Sequence, residues 1–225
     1  LAAFSPERMD AFIDTWYTEV HHLGWKTEDE ATELAGKLRE AVRRPGLKDL
    51  APRPLLLTVM ALLHTTRGRL PDDRVKLYAE TVELMLARWQ EARLGEESGL
   101  SCVVNLDRLQ TALEAATFAA HMAQQDTPPD AEYTGNLADI AGKDLREALA
   151  KGCLDDDWNG AGELIAFIKE RAGLLVERAP DVYTYPHRTF QEYLAAAHLC
   201  TLPGFPQEAA RLLRENPAQW REVVM

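Results

Sequence analysis

A chain of 225 residues with 25 Lys+Arg against 36 Asp+Glu carries a formal charge of −11, a length that allows one compact unit or two small ones. At 46% hydrophobic and 27% charged residues it can bury a sizeable core and lies outside the compositional range of disordered chains. The acidic balance excludes bulk coating of a nucleic-acid backbone, where affinity comes from Lys and Arg neutralising phosphates.

Almost every segment follows the 3.6-residue period. Ser5 is the expected N-cap of a first helix with Pro6 at its first position, and Met9, Phe12 and Trp16 fall on one face. Thr27 and Glu30 form a capping box for a second helix that runs to about residue 44, where Pro45-Gly46 stops it. Residues 55–63 are apolar almost all round and predict a buried helix that begins at Pro54 and ends at Gly68. The longest helix follows Pro71-Asp72-Asp73 with the stripe Val75, Tyr78, Val82, Met85 and Trp89. The stretch 94–101, with Gly95 and Gly99, interrupts the pattern and is the expected internal boundary.

Beyond it, Asn105 caps a helix with Leu106, Leu109, Leu113, Ala116 and Ala120 on one face. A turn at Thr127-Pro128-Pro129-Asp130 leads to a helix with Leu137, Ala141, Leu145 and Ala148 inward, and the acidic turn Asp155-Asp156-Asp157 to a third carrying Leu164, Phe167 and Ile168. The period then falls towards 2: Leu174-Leu175-Val176-Glu177 and Val182-Tyr183-Thr184-Tyr185 flank Ala179-Pro180-Asp181 and predict the one β-hairpin of the chain. A helix over 188–201 follows. Three helices, a hairpin and a closing helix describe a winged-helix arrangement. Helices around 206–214 and 217–225 read as the first hairpin of a further region. The expected fold is mainly α: a helical bundle domain over 1–94, a winged-helix domain over 102–201 with one short β-hairpin, and the start of a C-terminal helical region over 205–225.

Cys102, Cys153 and Cys200 lie roughly fifty residues apart without a CxxC pair, which points to reduced thiols rather than a disulfide framework or zinc site. No apolar run reaches the ~18 residues needed to span a bilayer, and no basic segment precedes an apolar one at the start; the expected location is the cytoplasm. The chain begins at Leu1 and stops inside an amphipathic pattern at Val223-Val224-Met225, so a piece of a longer protein is expected. No GxxxxGK[ST], HExxH, GxSxG or GxGxxG occurs, and no catalytic residue or metal site is assigned. His21 and His22 point about 100° apart on a helix and form no metal pair. Asp155 to Asp157 lack the EF-hand spacing and read as a solvated turn. The helix after them offers Glu163, Lys169, Glu170 and Arg171, a balanced set that makes groove binding the weaker alternative.

Two runs invite a family comparison. Leu50-Ala51-Pro52-Arg53-Pro54-Leu55-Leu56-Leu57-Thr58-Val59-Met60-Ala61-Leu62-Leu63-His64, followed by Gly68-Arg69-Leu70-Pro71 and Leu77-Tyr78, resembles the first helical domain after the nucleotide-binding core of NACHT proteins, signal-transducing ATPases related to the NOD-like receptors. Tyr183-Thr184-Tyr185-Pro186-His187-Arg188-Thr189-Phe190-Gln191-Glu192-Tyr193-Leu194-Ala195-Ala196 resembles the winged-helix signature of the same family. The resemblance implies two nucleotide-binding positions. Pro54 matches the proline that packs on the adenine ring, and His187 the histidine that reaches the β-phosphate of ADP. From the residues alone, Pro54 reads as an N1 proline and His187 as a capping or hairpin-end residue; Phe190, Tyr193 and Leu194 are core by spacing.

The phosphate loop and magnesium-binding strand of that family are not in the chain, so the resemblance implies a regulatory part rather than an enzyme. Its cofactors, ADP or ATP with magnesium, would belong to the parent protein. Its partners would be the parent's NACHT core, a C-terminal sensor region and further copies in an oligomer, in innate immune or antiphage signalling. The alternatives are a winged-helix DNA-binding regulator and a helical scaffold for protein partners.

Overall fold

The computed structural model describes residues 2–94, 104–124 and 138–224. Expectations placed on 95–103, on the Thr127 to Asp130 turn, on Leu137 and on Cys102 lie outside the described residues, as do the side chains of Trp89 and Arg171. The chain divides into two compact units, Leu1–Leu84 and Met85–Met225.

The first unit holds α1 (Pro6–His22), α2 (Glu28–Ala41), α3 (Pro54–Arg67) and the beginning of α4 (Arg74–Leu94). Local chemistry sets its helix ends. Ser5 accepts from the Arg8 N–H, Thr27 and Glu30 close a reciprocal capping box, and Gly68 ends α3 in the left-handed region at φ 72°. The core takes Ile13, Tyr17 and Val20 from α1, Ala31, Ala35 and Leu38 from α2, Leu47 and Ala51 from the connecting turns, and Leu56, Leu57, Met60 and Leu63 from α3.

The buried face of α1 is therefore one position round from the expected stripe. Phe12 and Trp16 sit half-buried beside it, their rings 6.0 Å apart, with Phe4 a further 6.2 Å from Phe12. The indole N–H of Trp16 donates to Thr65 Oγ1 at 2.9 Å, the amphipathic use of a ring whose polar edge needs a partner. In α4 the expected stripe is corrected at its start: Val75 is exposed, while Leu77, Tyr78, Thr81 and Val82 are buried.

The second unit contains α5 (Leu106–Ala123), β1 (Ile140–Ala141), α6 (Gly142–Cys153), α7 (Trp158–Phe167), a π-helical turn (Ile168–Ala172), β2 (Val176–Ala179), β3 (Val182–Thr184), α8 (Arg188–Thr201), α9 (Phe205–Glu215) and α10 (Pro217–Val224). Its fold is a winged helix: α6 and α7 form the helix-turn-helix and β2–β3 the wing.

The expected single hairpin is a three-stranded antiparallel sheet in the order β1-β3-β2, with Ile140 opposite Tyr183 and Ala141 opposite Val182. Ala141, expected on a helix, is thus a strand residue, and the helix starts at Gly142, whose N–H donates to the Asp181 carbonyl at 2.7 Å. The hairpin turn puts Asp181 at φ 57°, a conformation that Asp tolerates better than bulkier residues.

Leu109, Leu113 and Ala116 of α5, Leu145 and Leu149 of α6, Leu164, Ile165 and Ile168 of α7 and its π turn, and Phe190 and Leu194 of α8 make the core. The two C-terminal helices pack on the same unit, where Ala209, Leu212, Trp220 and Val223 form one apolar cluster with Ala195 and Leu199 of α8.

Candidate functional site

His187 stands between the end of β3 and the start of α8. With φ −146° and ψ 139° it is extended, and it is the N-cap of α8. Its Nδ1 accepts from the Thr189 backbone N–H at 3.3 Å and lies 2.8 Å from Thr189 Oγ1. A backbone N–H can only donate, so Nδ1 carries the lone pair and the neutral ring carries its proton on Nε2. The cap thereby turns His187 into a hydrogen-bond donor at Nε2. The ring is half-buried and sits at the positive end of a helix of 14 residues. Arg188, next in the chain, pairs with the buried Glu192 one turn on at 2.6 Å, so its charge is answered within α8.

The approach to His187 is buried. Tyr185 is 1% exposed, and its hydroxyl lies 2.5 Å from Thr117 Oγ1 of α5; burial raises its pKa. After His187, Phe190 and Leu194 are core, whereas Tyr193 is half-buried. Gln191, which spacing did not single out, is 1% exposed and bonds His121 of α5 and Ala138, two residues before β1.

Compared with family models, residues 74–199 match the winged helix-turn-helix domain C-terminal to NACHT, a span of more than half the chain. The chain belongs to this family. No curated protein and no solved structure matches it. A winged-helix domain C-terminal to NACHT is not itself the catalytic core, and the span runs from the first residue of α4 to the last turn of α8, the helix that His187 caps.

Within this NACHT-associated winged helix the acidic turn is explained by backbone geometry. Asp155 and Asp156 take φ of 50° and 69°. Asp157 caps α7 by accepting from the N–H groups of Asn159 and Gly160 at 3.1 and 2.9 Å. Arg108 of α5 pairs with Asp155 at 2.9 Å. On the helix-turn-helix and wing, Lys169 is held by Glu177 at 2.9 Å and Arg178 by Asp139 at 3.3 Å.

Pro54 lies in the first unit at N1 of α3, half-buried, after an extended Arg53 that provides no side-chain cap. The Thr58 hydroxyl donates to the Pro54 carbonyl at 3.0 Å. His21 and His22 diverge, as their spacing predicts: His21 Nδ1 bonds the Lys26 carbonyl at 3.1 Å, and His22 faces Glu19 at 3.6 Å. Among the described residues no group of three His, Cys, Asp or Glu is placed to hold a metal, and no helix is long and apolar enough to cross a membrane. Cys153 is buried and Cys200 exposed, both as free thiols.

Proposed function

We propose that this chain is the regulatory helical and winged-helix part of a NACHT signalling ATPase. It closes over ADP or ATP bound with magnesium to the parent's NACHT core, and it controls a switch between a closed form and an oligomer in cytoplasmic innate immune or antiphage defence. The observation that carries the reading is the capped state of His187. A histidine whose Nδ1 accepts from Thr189 carries its proton on Nε2 at a helix N-terminus, the polarity an anionic phosphate oxygen requires.

Pro54 supplies a rigid, half-buried ring at the head of α3, suited to stacking on a base. The nucleotide can shift the equilibrium only by its difference in affinity for the closed and open arrangements, and a donor that meets the phosphate in one arrangement alone provides such a difference. The test is ADP affinity in the protein that contains both the NACHT core and this chain, compared with its His187→Ala variant. A lost hydrogen bond to a charged group, about 1.5–3 kcal/mol, weakens ADP binding ~10- to 150-fold. Unchanged affinity would remove the phosphate-sensing role.

A further inference from the structure

Two buried polar residues of the second unit, Gln191 and His121, form the middle of one connected chain of hydrogen bonds that ends on the half-buried Gln219 and Asn216. The Ala138 N–H, just before β1, donates to Gln191 Oε1 of α8 at 2.9 Å. Because that end of the amide must be the oxygen, its nitrogen faces His121 Nδ1 of α5, at 3.2 Å, and donates to it. His121 therefore carries its proton on Nε2, which points at the Gln219 carbonyl of α10 at 3.4 Å. Gln219 answers by donating its side-chain amide to the His121 carbonyl. Its own Oε1 accepts from Asn216, the residue between α9 and α10, at 3.0 Å. A backbone N–H at one end and a backbone carbonyl at the other fix the direction of every bond between them.

The relay runs alongside an apolar seat. Trp220 of α10, fully buried, meets His121 edge to face at 4.7 Å and Phe118 at 5.8 Å, while Leu212 and Val223 pack against Ala195 and Leu199. Apolar contacts alone are non-directional and tolerate sliding. A buried chain of bonds with one allowed polarity does not, because a single reversed amide leaves two groups unpaired inside the core.

We propose that this relay is a latch that couples the seating of the α9–α10 pair to the entry of the wing sheet. A disturbance at the head of α8, where His187 sits one turn before Gln191, then reaches α10 through bonds of defined polarity. It does so whether or not His187 binds a phosphate. The α9–α10 pair leaves as a unit when the relay is broken.

The test is native-state hydrogen exchange on the full chain, with the α6 amides as the reference for overall stability. Gln191→Met keeps the volume and removes both bonds of residue 191. It raises the opening of α10 amides ~10-fold over that of α6, although residue 191 lies on α8. Gln191→Glu restores acceptance from Ala138 and can accept from a His121 that now binds a second proton, so α10 protection returns to near the wild-type level. If α10 opens only in proportion to α6 in the Met variant, or if the Met and Glu variants behave alike, the latch is wrong. Imidazole nitrogen shifts of the wild-type chain give an answer that needs no variant: a protonated Nε2 with an accepting Nδ1 on His121 supports the relay, and a protonated Nδ1 overturns it.

Discussion

At the scale of single residues, the buried groups His64, His121 and Glu114 contribute to how the chain responds to acid. His64 and His121 are both about 1–2% exposed, and burial pushes the pKa of each down to about 4, against the ordinary 6.5. For His64, Lys37 and Arg44 push the same way; for His121, Arg188 does, against the bond to Gln219. The unfolded chain binds protons at these positions below about 6.5 and the folded chain only near 4. Their contribution is complete above pH 6.5 and is lost as pH falls through that window, each group giving up to ~1.4 kcal/mol per pH unit.

Urea midpoints measured from pH 7 to 4.5 should fall, and replacing His121 by Phe should flatten the slope. Glu114 works in the opposite sense. Burial raises its carboxyl pKa, only partly offset by the Gln110 amide at 2.8 Å, so the folded chain takes up its proton before the unfolded one does. Glu114→Gln should stabilise the chain at neutral pH, because it removes a buried charge. The gain should shrink as the pH is lowered and the native Glu114 becomes protonated, which urea midpoints at two pH values would show.

At the scale of elements, α5 and α6 approach closely where Gly152 faces Ala112. A Cβ added at Gly152 would meet the Ala112 Cβ at 2.7 Å, whereas one added at Gly162 in α7 finds only Arg146 Nε at 3.7 Å. Both glycines are helical, so Ala gains about 1 kcal/mol of propensity at either place. At 152 the two helices must move apart, at a cost of roughly 1–3 kcal/mol. Gly162→Ala should therefore raise the melting temperature and Gly152→Ala lower it.

Neither distinction was legible beforehand, because it depends on what the opposite helix presents. The helix ends were legible: Ser5, Thr27, Asn105, Pro54 and Gly68 act on neighbours within four residues, and sequence displays such chemistry directly. Strand β1 was hidden for the converse reason. Two residues have no period, and their partners Val182 and Tyr183 lie some forty positions away. The half-buried rim of α1 misled the periodicity because the Phe4, Phe12 and Trp16 rings cluster there while Ile13 and Tyr17 carry the burial. His187 was visible through its motif. Its neighbour Gln191 became meaningful only with His121, which is 70 positions away.

At the scale of the whole molecule, a helix-turn-helix with a wing raises a question of partner on which charge bears. A protein that tracks a duplex neutralises phosphates with unpaired Lys and Arg, and its affinity falls steeply with salt. This chain carries −11. The winged helix ties Lys169 to Glu177 and Arg178 to Asp139, and α7 and its π turn expose Glu163 and Glu170. A duplex approaching this face would meet carboxylates with their cations already matched. The expected result is no mobility shift of a duplex of about 25 base pairs at 50 mM salt with the chain at ~10 μM, conditions in which non-specific binders with dissociation constants of about 10⁻⁴ to 10⁻⁶ M begin to register. Glu163→Lys with Glu170→Lys reverses the sign of that face and should create weak binding that disappears by 200 mM salt. A shift by the unsubstituted chain that persisted at 200 mM salt would mean that the helix-turn-helix reads a duplex through placed groups despite its charge, and would return α7 to the role its shape resembles.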